Sequence, residues 1–256
     1  MINTLKNFLR TYWKTLLFFL LVGLFGGFFT GLYMLDSYPA DMQQELINQG
    51  ATPVLLGAVT AVQSAGYGVI LGAIGILISK KLGLWKDENN ITKRPLLSAI
   101  GIGVFGGLAI ILPDLLFFGK YIGPLKDSYA IKPTIPYILA AVTYGAVIEE
   151  IMLRLFFMSL IALILHTIFT RRQEKPSVPV LIAANFISAL LFAAGHLPAT
   201  FMLLGNTPMI LFRCFLLNGG IGLLFGRLFR KYGLRYAMIA HGGAHIVSKL
   251  IWILFL

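Results

Sequence analysis

Several stretches of this sequence stay apolar for about 20 residues each, and this pattern constrains the fold more than any other feature. A helix that rises 1.5 Å per residue needs about 20 residues to cross a hydrocarbon core roughly 30 Å thick. Hydrophobic residues make up 58% of the 256 residues and charged residues only 12%, unlike an average soluble domain. The sequence therefore predicts an all-α fold, a polytopic bundle of about seven transmembrane helices.

The apolar runs set the bounds of the predicted spans. They are Leu16–Leu35, Val54–Ser79, Leu96–Phe118, Ile135–Leu165, Pro179 to at least His196, Pro208–Phe229 and Leu234–Phe255. The far end of the fifth span stays open, because Pro198 and the apolar residues after it fit either a kinked continuation or a re-entrant turn. A basic amphipathic lead, residues 1–14, runs into a first span that is too long for a signal-peptide core and lacks a cleavage pattern.

Basic residues in the short loops predict how these helices are oriented. Lys and Arg are concentrated at the N-terminus and in every second loop, which places the N-terminus in the cytoplasm and the C-terminus outside. The loop Gly119–Thr134 is the exception, since it carries three lysines on the predicted outer side. We assign the net charge of +11 to orientation and to contact with anionic lipid, and expect no nucleic-acid partner. The loops favour a prokaryotic plasma membrane, with an endoplasmic-reticulum location left open.

Small residues recur at four-residue spacing in the predicted spans, which favours close helix packing. The sets are Gly23/Gly27/Gly31, Gly68/Gly72, Gly103/Gly107 and Gly222/Gly226. We expect them to pack within one bundle and not at a dimer interface. The single cysteine, Cys214, lies in an apolar run and is expected to be a small buried hydrophobic residue.

Three ionisable residues stand close together inside the fourth predicted span. Glu149, Glu150 and Arg154 are its only charged residues, and one charge at the middle of a membrane helix costs roughly 2.5–3.5 kcal/mol on insertion scales. Such groups must pair, take up a proton or line a wet cavity. Glu150 and Arg154 are four residues apart and share a helix face, whereas Glu149 is turned by about 100°. One carboxylate can therefore be structural while its neighbour carries chemistry.

Other spans carry further polar residues, most of which have a structural explanation as well. They are Asp114, His166, His196, Arg213, His241, His245 and Lys249. We expect His166 to be a hydrogen-bonded residue near a helix end, and Arg213 to snorkel or to pair with a carboxylate. The pair Glu150–Arg154 could itself be only a structural lock.

The histidines and glutamates on three separate spans together indicate a site, because intramembrane ionisable residues are costly and few other polar groups can satisfy them. His241 and His245 share one helix face, and the small residues between them leave room for a partner helix or a substrate backbone. By hydropathy Glu149, His196 and His241 lie at different depths. For them to meet, the fifth span must extend past Pro198 or the fourth must begin later.

The motifs Glu149-Glu150-x-x-x-Arg154, Phe192-x-x-x-His196 and His241-x-x-x-His245 follow one another on successive apolar stretches. In this order they resemble the CAAX prenyl protease and bacteriocin-processing (CPBP) family of intramembrane proteases, which includes the type II CAAX endopeptidases. The resemblance covers about Leu96–Ile251. It implies that residues 1–95, the basic lead and two spans, precede a protease core formed by residues 96–256. The last motif position is usually Asn or Asp in the family and is His245 here.

The resemblance also implies a role for each motif residue. Glu149 and His196 would activate a water molecule for attack on a peptide carbonyl. His241 and His245 would stabilise the oxyanion, where one lost donor costs roughly 3–4 kcal/mol, or complete the polar site. The pair Glu150–Arg154 would organise the site.

Metal binding is left open by these residues. Glu149, His196, His241 and His245 could hold Zn²⁺ with one open position, and two histidines four residues apart on a helix have the spacing used by metalloproteases. The full His-Glu-x-x-His motif is absent, since Gly242 stands at the position of the glutamate. Activation of water by a glutamate and a histidine needs no metal, and we favour that mechanism.

The sequence therefore predicts an intramembrane endopeptidase, whose partners are the lipid bilayer and a peptide or protein with a hydrophobic or lipidated segment. A prenylated CaaX tail, a peptide pheromone or bacteriocin leader, and a membrane-protein segment all stay open as substrates. Two other classes of function compete with it. The polar residues could be the core of a non-catalytic immunity or binding protein, or Glu149 could carry protons in a transporter, although no inverted repeat is visible.

We predict that His245 gives the activity a pH dependence that asparagine would not. An amide donates a hydrogen bond at any pH, whereas an imidazole donates through the nitrogen that carries the proton and changes charge near neutral pH. Cleavage of a peptide by the His245→Asn variant should therefore follow a differently shaped pH–rate profile from that of the wild type. Identical profiles would contradict this role for His245.

Overall fold

The computed structural model describes residues 2–86 and 90–256, with side chains from residue 5 onward. Within these ranges every regular element is helical, and seven stretches are long and apolar enough to cross a membrane. We name them spans one to seven: Leu5–Ser37, Pro53–Lys81, Lys93–Lys120, Ile135–Phe169, Val178–Leu204, Pro208–Tyr232 and Leu234–Phe255. The predicted all-α fold and the number of spans are confirmed, and the seven apolar helices are those of an integral multi-pass membrane protein. The orientation of the N-terminus stays a prediction.

The α-helical segments cover most of each span and two of the connections. They are Ile2–Met34, Ala40–Asn48, Pro53–Gly66, Gly72–Lys81, Lys93–Leu116, Gly123–Tyr129, Ile135–Ala140, Ser159–Phe169, Val178–Gly195, Leu197–Leu204, Pro208–Cys214, Gly220–Tyr232 and Leu234–Phe255. Short 3₁₀ turns occupy Leu35–Ser37 and Phe118–Lys120. Four segments are π-helical, with the wider i to i+5 hydrogen bonding: Tyr67–Leu71, Ala141–Glu149, Ile151–Met158 and Phe215–Gly219.

Threonine caps followed by proline begin three of the spans. The hydroxyl of Thr52 accepts a hydrogen bond from the backbone N–H of Leu55 at 3.2 Å, and Thr134 and Thr207 cap spans four and six in the same way. Proline in the first turn is tolerated because its missing N–H would have no partner there. Spans six and seven are joined at Gly233, whose φ of 105° is a left-handed conformation that glycine adopts readily.

The structure shows where span five ends, which the sequence left open. Its first helix ends at Gly195, His196 lies at the junction, and a second helix, Leu197–Leu204, continues the same span. Pro198 therefore lies in the first turn of that second helix, where its lack of an N–H is tolerated. The kinked continuation is the correct alternative, and span four begins at Ile135 as predicted.

Glycines let span one lie directly against span two. A Cβ atom on Gly27 would lie 2.8 Å from the Cα of Ala61, which real Cβ atoms do not tolerate, and the hydroxyl of Thr60 donates to the Gly27 carbonyl at 2.6 Å. Span one also reaches span four, since a Cβ on Gly26 would lie 2.7 Å from the backbone nitrogen of Tyr144. These glycines pack within the chain, as their spacing predicted. The division into parts at residue 95 stays a prediction.

Span three packs against the small residues of span seven. A Cβ on Gly103 would lie 3.2 Å from the Cα of Gly243, and one on Gly107 would lie 2.8 Å from the carbonyl oxygen of Ala244. The surface between His241 and His245 is therefore occupied on this side by a neighbouring helix. Of the two occupants that the sequence allowed there, the structure shows the helix.

Span four is the central helix of the bundle. Ile148, Ile151, Leu155 and Met158 are all fully buried, and they belong to one apolar core that receives side chains from the other spans. The ionisable residues of span four are therefore carried by a helix that contributes to the apolar core, where an unpaired charge is costly.

A cluster of polar side chains at the C-terminal end of span three joins three segments of the chain. Asp114 accepts from Arg213 Nε of span six at 2.6 Å and from the phenol of Tyr129 at 2.8 Å. Burial raises the pKa of Tyr129, and the neighbouring Asp114 carboxylate raises it further, so the phenol stays a neutral donor. Arg213 thus has the carboxylate partner that the sequence allowed for.

We predict that this cluster contributes to stability and not to chemistry. Asp114→Ala leaves the Arg213 guanidinium without its counter-ion and should cost about 3–5 kcal/mol of stability, measured as thermal unfolding of the purified protein in detergent. The double variant Asp114→Ala/Arg213→Met removes both charges and should recover most of the loss. A double variant as unstable as Asp114→Ala would show that the ion pair is not the source of the effect.

Candidate active site

The fourth span carries its charged residues where its hydrogen-bonding pattern is unusual. Glu150 lies between two π-helical segments, Ala141–Glu149 and Ile151–Met158, so the backbone is widened on both sides of it. π-Helical turns are rare and occur frequently at functional sites. The two adjacent glutamates have different surroundings, because the side chain of Glu150 is fully buried and that of Glu149 is 21% exposed.

Glu150 is contacted by nitrogen atoms of two side chains from different helices. Its Oε2 atom lies 3.3 Å from Nε of Arg154, one turn along span four, and neither side chain is exposed. Its Oε1 atom lies 3.0 Å from Nδ1 of His241 on span seven. Because an ionised carboxylate can only accept, Nδ1 of His241 carries a proton in this arrangement.

Arg154 has further partners on span five. Its Nη1 donates to the hydroxyl of Ser188 at 3.3 Å, and that hydroxyl donates to the carbonyl of Leu153 at 2.6 Å. The guanidinium also lies 5.1 Å from the centre of the Phe192 ring, a cation–π contact. The pair Glu150–Arg154 therefore ties spans four, five and seven together, which agrees with a structural role for it.

His241 lies between the two glutamates of span four. Its Nδ1 atom faces Glu150, and its Nε2 atom lies 3.9 Å from Oε2 of Glu149. That second distance is too long for a direct hydrogen bond. The imidazole is fixed by Phe225, whose ring stacks on it at 4.7 Å with an interplanar angle of 23°. One ring thus connects a buried carboxylate with a partly exposed one.

His196 joins this cluster through Phe192. Its Nδ1 atom lies 2.8 Å from the Phe192 carbonyl, and since a carbonyl can only accept, Nδ1 carries the proton and a neutral ring keeps a lone pair on Nε2. The Phe192 ring contacts the His196 ring at 4.7 Å and the His241 ring at 5.8 Å, both edge to face. Among the residues that the structure describes, no hydrogen bond or ion pair joins His196 to Glu149. An aromatic ring therefore lies between His196 and His241.

His245 lies one helical turn beyond His241, and their rings stack at 4.9 Å with an interplanar angle of 25°. A Cβ on Gly145 of span four would lie 2.9 Å from Nε2 of His245 and 4.0 Å from Nε2 of His241. Nδ1 of His245 is buried without a hydrogen-bond partner in the described structure. Gly145 therefore leaves the space that the His245 ring needs against span four.

Three residues of this cluster were missed by sequence reasoning. Ser188 could have been noticed as a hydroxyl in an apolar span, whereas Gly145 and Phe225 look like ordinary packing residues. The remaining polar residues of the spans lie elsewhere. His166 is bonded to Thr170 at 2.7 Å near a helix end, as predicted, and Lys249 donates to the phenol of Tyr137 at 3.1 Å.

No group of three or more His, Cys, Asp or Glu side chains in residues 2–86 and 90–256 is arranged to hold a metal ion. The candidate ligands are Glu149, His196, His241 and His245, but Nδ1 of His241 faces Glu150 at 3.0 Å, and in the described structure Nδ1 of His196 faces the Phe192 carbonyl at 2.8 Å. In this conformation the four side chains do not fit a metal site.

Residues 131–247 match the model of a family described as "Type II CAAX prenyl endopeptidase Rce1-like". The matched segment begins before span four and ends just after His245, so it contains all three motifs. The match confirms the resemblance seen in the sequence. Searches of curated proteins and of solved structures returned no match.

We predict that a methyl group at position 145 displaces the His245 ring. Gly145→Ala should lower the thermal stability of the purified protein, although alanine favours helix by about 1 kcal/mol over glycine. Gly145→Ala/His245→Ala should restore stability, because the smaller side chain leaves room. Gly66→Ala is the matched control, since a Cβ there meets nothing within 4 Å. Equal stability of Gly145→Ala and Gly66→Ala would show that the two helices are not in contact at His245.

Proposed function

We propose that this chain is an intramembrane endopeptidase in which Glu149, His196, His241 and His245 act on a peptide bond. The observation that carries the proposal is the position of His241, held by a buried carboxylate on one nitrogen and facing a partly exposed carboxylate on the other. The family of residues 131–247 supports the same class of reaction.

Glu149 is the proposed general base. Its carboxylate is partly exposed, so a water molecule can reach it, and the gap of 3.9 Å to His241 Nε2 is of a size that a bridging water or substrate oxygen can occupy. His196 supplies a second basic nitrogen, Nε2, because its Nδ1 proton is engaged by the Phe192 carbonyl. The base removes a proton from water as the water attacks the peptide carbonyl, and such positioned proton transfer contributes roughly 10²–10⁴ in rate.

His241 and His245 are the proposed donors to the oxyanion. Their rings are parallel, and both direct Nε2 toward span four near Gly145, so an oxygen that develops charge there would meet N–H donors from either ring. Glu150 positions His241 through the contact at 3.0 Å between Oε1 and Nδ1. Preorganised donors in a water-poor site are usually the largest single contribution to such catalysis.

The leaving amine must receive a proton when the peptide bond breaks. His241 can supply one, since its ring lies between the two glutamates, and Glu149 can return the proton that it took from water.

The proposed substrate is a membrane-associated peptide whose hydrophobic or lipidated end lies in the bilayer next to the bundle. A prenylated C-terminal CaaX tail is the first substrate class to test, because the family matched by residues 131–247 is described by that activity. A peptide leader and a membrane-protein segment are the next two. We propose a prokaryotic plasma membrane as the location, on the strength of the basic loops.

Substitution of the acidic and imidazole groups tests the proposal. Glu149→Gln, His196→Ala and His241→Ala should each lower the rate of peptide cleavage by at least about 100-fold, measured with a prenylated and an unprenylated peptide in detergent or liposomes. Thermal unfolding should change little for Glu149→Gln, which keeps the shape of the side chain. Full activity of Glu149→Gln would overturn its role as the base.

Matched controls separate chemistry from general loss of charge. Glu174→Gln lies in an exposed loop and His166→Ala lies near a helix end, so both variants should cleave at the rate of the wild type. A protective effect kept by Glu149→Gln would favour an immunity protein, and proton-coupled uptake into vesicles would favour a transporter. If protein shown to hold no metal still cleaves the peptide in the presence of a chelator, the metal-free mechanism is established. If the chelator abolishes cleavage and added Zn²⁺ restores it, that mechanism is rejected.

A further inference from the structure

A cavity of about 470 Å³ lies between the beginning of span three and the end of span six, apart from the glutamates and histidines. Its polar lining consists of Arg94 and Ser98 from span three and of Arg227, Lys231 and Tyr232 from span six. None of these residues belongs to the candidate active site. The cavity therefore needs its own explanation.

The charge of this cavity is of one sign. Arg94, Arg227 and Lys231 all line it, no carboxylate does, and within residues 2–86 and 90–256 none of the three has an ion-pair partner. Two guanidinium groups and an ammonium group together provide many donors and no acceptor. Such a set is complementary to a phosphate group, which guanidinium binds through two parallel hydrogen bonds.

Contacts with span seven connect the two helices that line the cavity. The Lys231 ammonium lies 5.1 Å from the centre of the Tyr232 ring, and Tyr232 packs edge to face on Tyr236 of span seven at 6.0 Å. The phenol of Tyr236 accepts a hydrogen bond from the backbone N–H of Thr92 at 2.9 Å, immediately before span three begins. The two helices that carry the arginines are thus joined through span seven, which holds their ends next to each other.

The cavity lies at the level of the membrane surface. Arg94 is in the first turn of span three and Lys231 is in the last turn of span six, so both lie where a transmembrane helix passes into the headgroup region. Beyond Arg94 along span three, Leu97, Ile100 and Phe105 are 57%, 48% and 58% exposed. A molecule with its phosphate among the three cations would have an apolar helix face beside it for acyl chains.

We propose that this cavity binds the phosphate of an anionic phospholipid headgroup. Basic pockets between transmembrane helices at the membrane surface recognise such headgroups by charge. The hydroxyls of Ser98 and Tyr232 can contact the glycerol or sugar part of the headgroup, since both groups line the same cavity. The site does not depend on the proposed endopeptidase activity.

Binding of defined lipids to the purified full-length protein tests this site. Native mass spectrometry and thermal unfolding in neutral detergent would compare phosphatidylglycerol with phosphatidylcholine of the same acyl chains. Phosphatidylglycerol should bind and stabilise, and Arg94→Gln/Arg227→Gln should weaken that binding by at least about tenfold. Equal binding of phosphatidylcholine would overturn the proposal.

The matched control removes the same charge elsewhere. Arg171→Gln/Arg172→Gln lies in an exposed loop that the topology places on the same membrane side, so it should leave phosphatidylglycerol binding unchanged. An equal loss in both double variants would show only a diffuse surface charge and would overturn the site. Lys231→Gln is a milder variant to use if Arg94→Gln/Arg227→Gln fails to fold.

Soluble glycerol phosphate distinguishes the source of the phosphate. If the acyl chains contribute to binding, glycerol phosphate should stabilise the protein little or not at all at concentrations where phosphatidylglycerol stabilises it fully. Equal stabilisation by the soluble compound would overturn the assignment to a lipid.

Discussion

The buried carboxylate of Glu150 is the group on which the rest of the polar site depends. It is fully buried in span four, where a carboxylate without partners is costly, and Arg154 and His241 face its two oxygens. Arg154 lies one turn along the same helix and also contacts Ser188 of span five, whereas His241 belongs to span seven. One buried carboxylate therefore connects three spans, and the loss of either partner would leave one of its oxygens without a nitrogen beside it in an apolar core.

The arrangement around Glu150 leaves a second carboxylate available for chemistry. Glu149 lies next to Glu150 in span four, but its side chain is partly exposed. The imidazole of His241, which contacts Glu150, faces Glu149 with its other nitrogen. Phe225 stacks on that imidazole, and Gly145 leaves space for the neighbouring ring of His245. Two adjacent glutamates can thus have different roles, one structural and one chemical, because a helix directs neighbouring side chains into different surroundings.

Sequence patterns were most informative where a single local rule applied. Span seven was predicted with the bounds Leu234–Phe255 that the structure has, since a basic turn and an apolar run define both ends. Span five was not settled, because Pro198 is compatible with two backbone paths and the choice depends on contacts with other helices. Likewise the spacing of the two histidines showed that they share a face, but not that Gly103 of span three fills the space between them.

The sequence by itself determined the helical class, the seven spans and the residues that form the three motifs, because apolar length and four-residue spacing are properties of one segment at a time. Only the tertiary structure decided which nitrogen of His241 faces which glutamate, that Phe192 lies between two imidazoles, and that three cations from two helices share one cavity at the membrane surface. These contacts join residues far apart in the chain, and their geometry follows from how closely the glycine-lined helices approach.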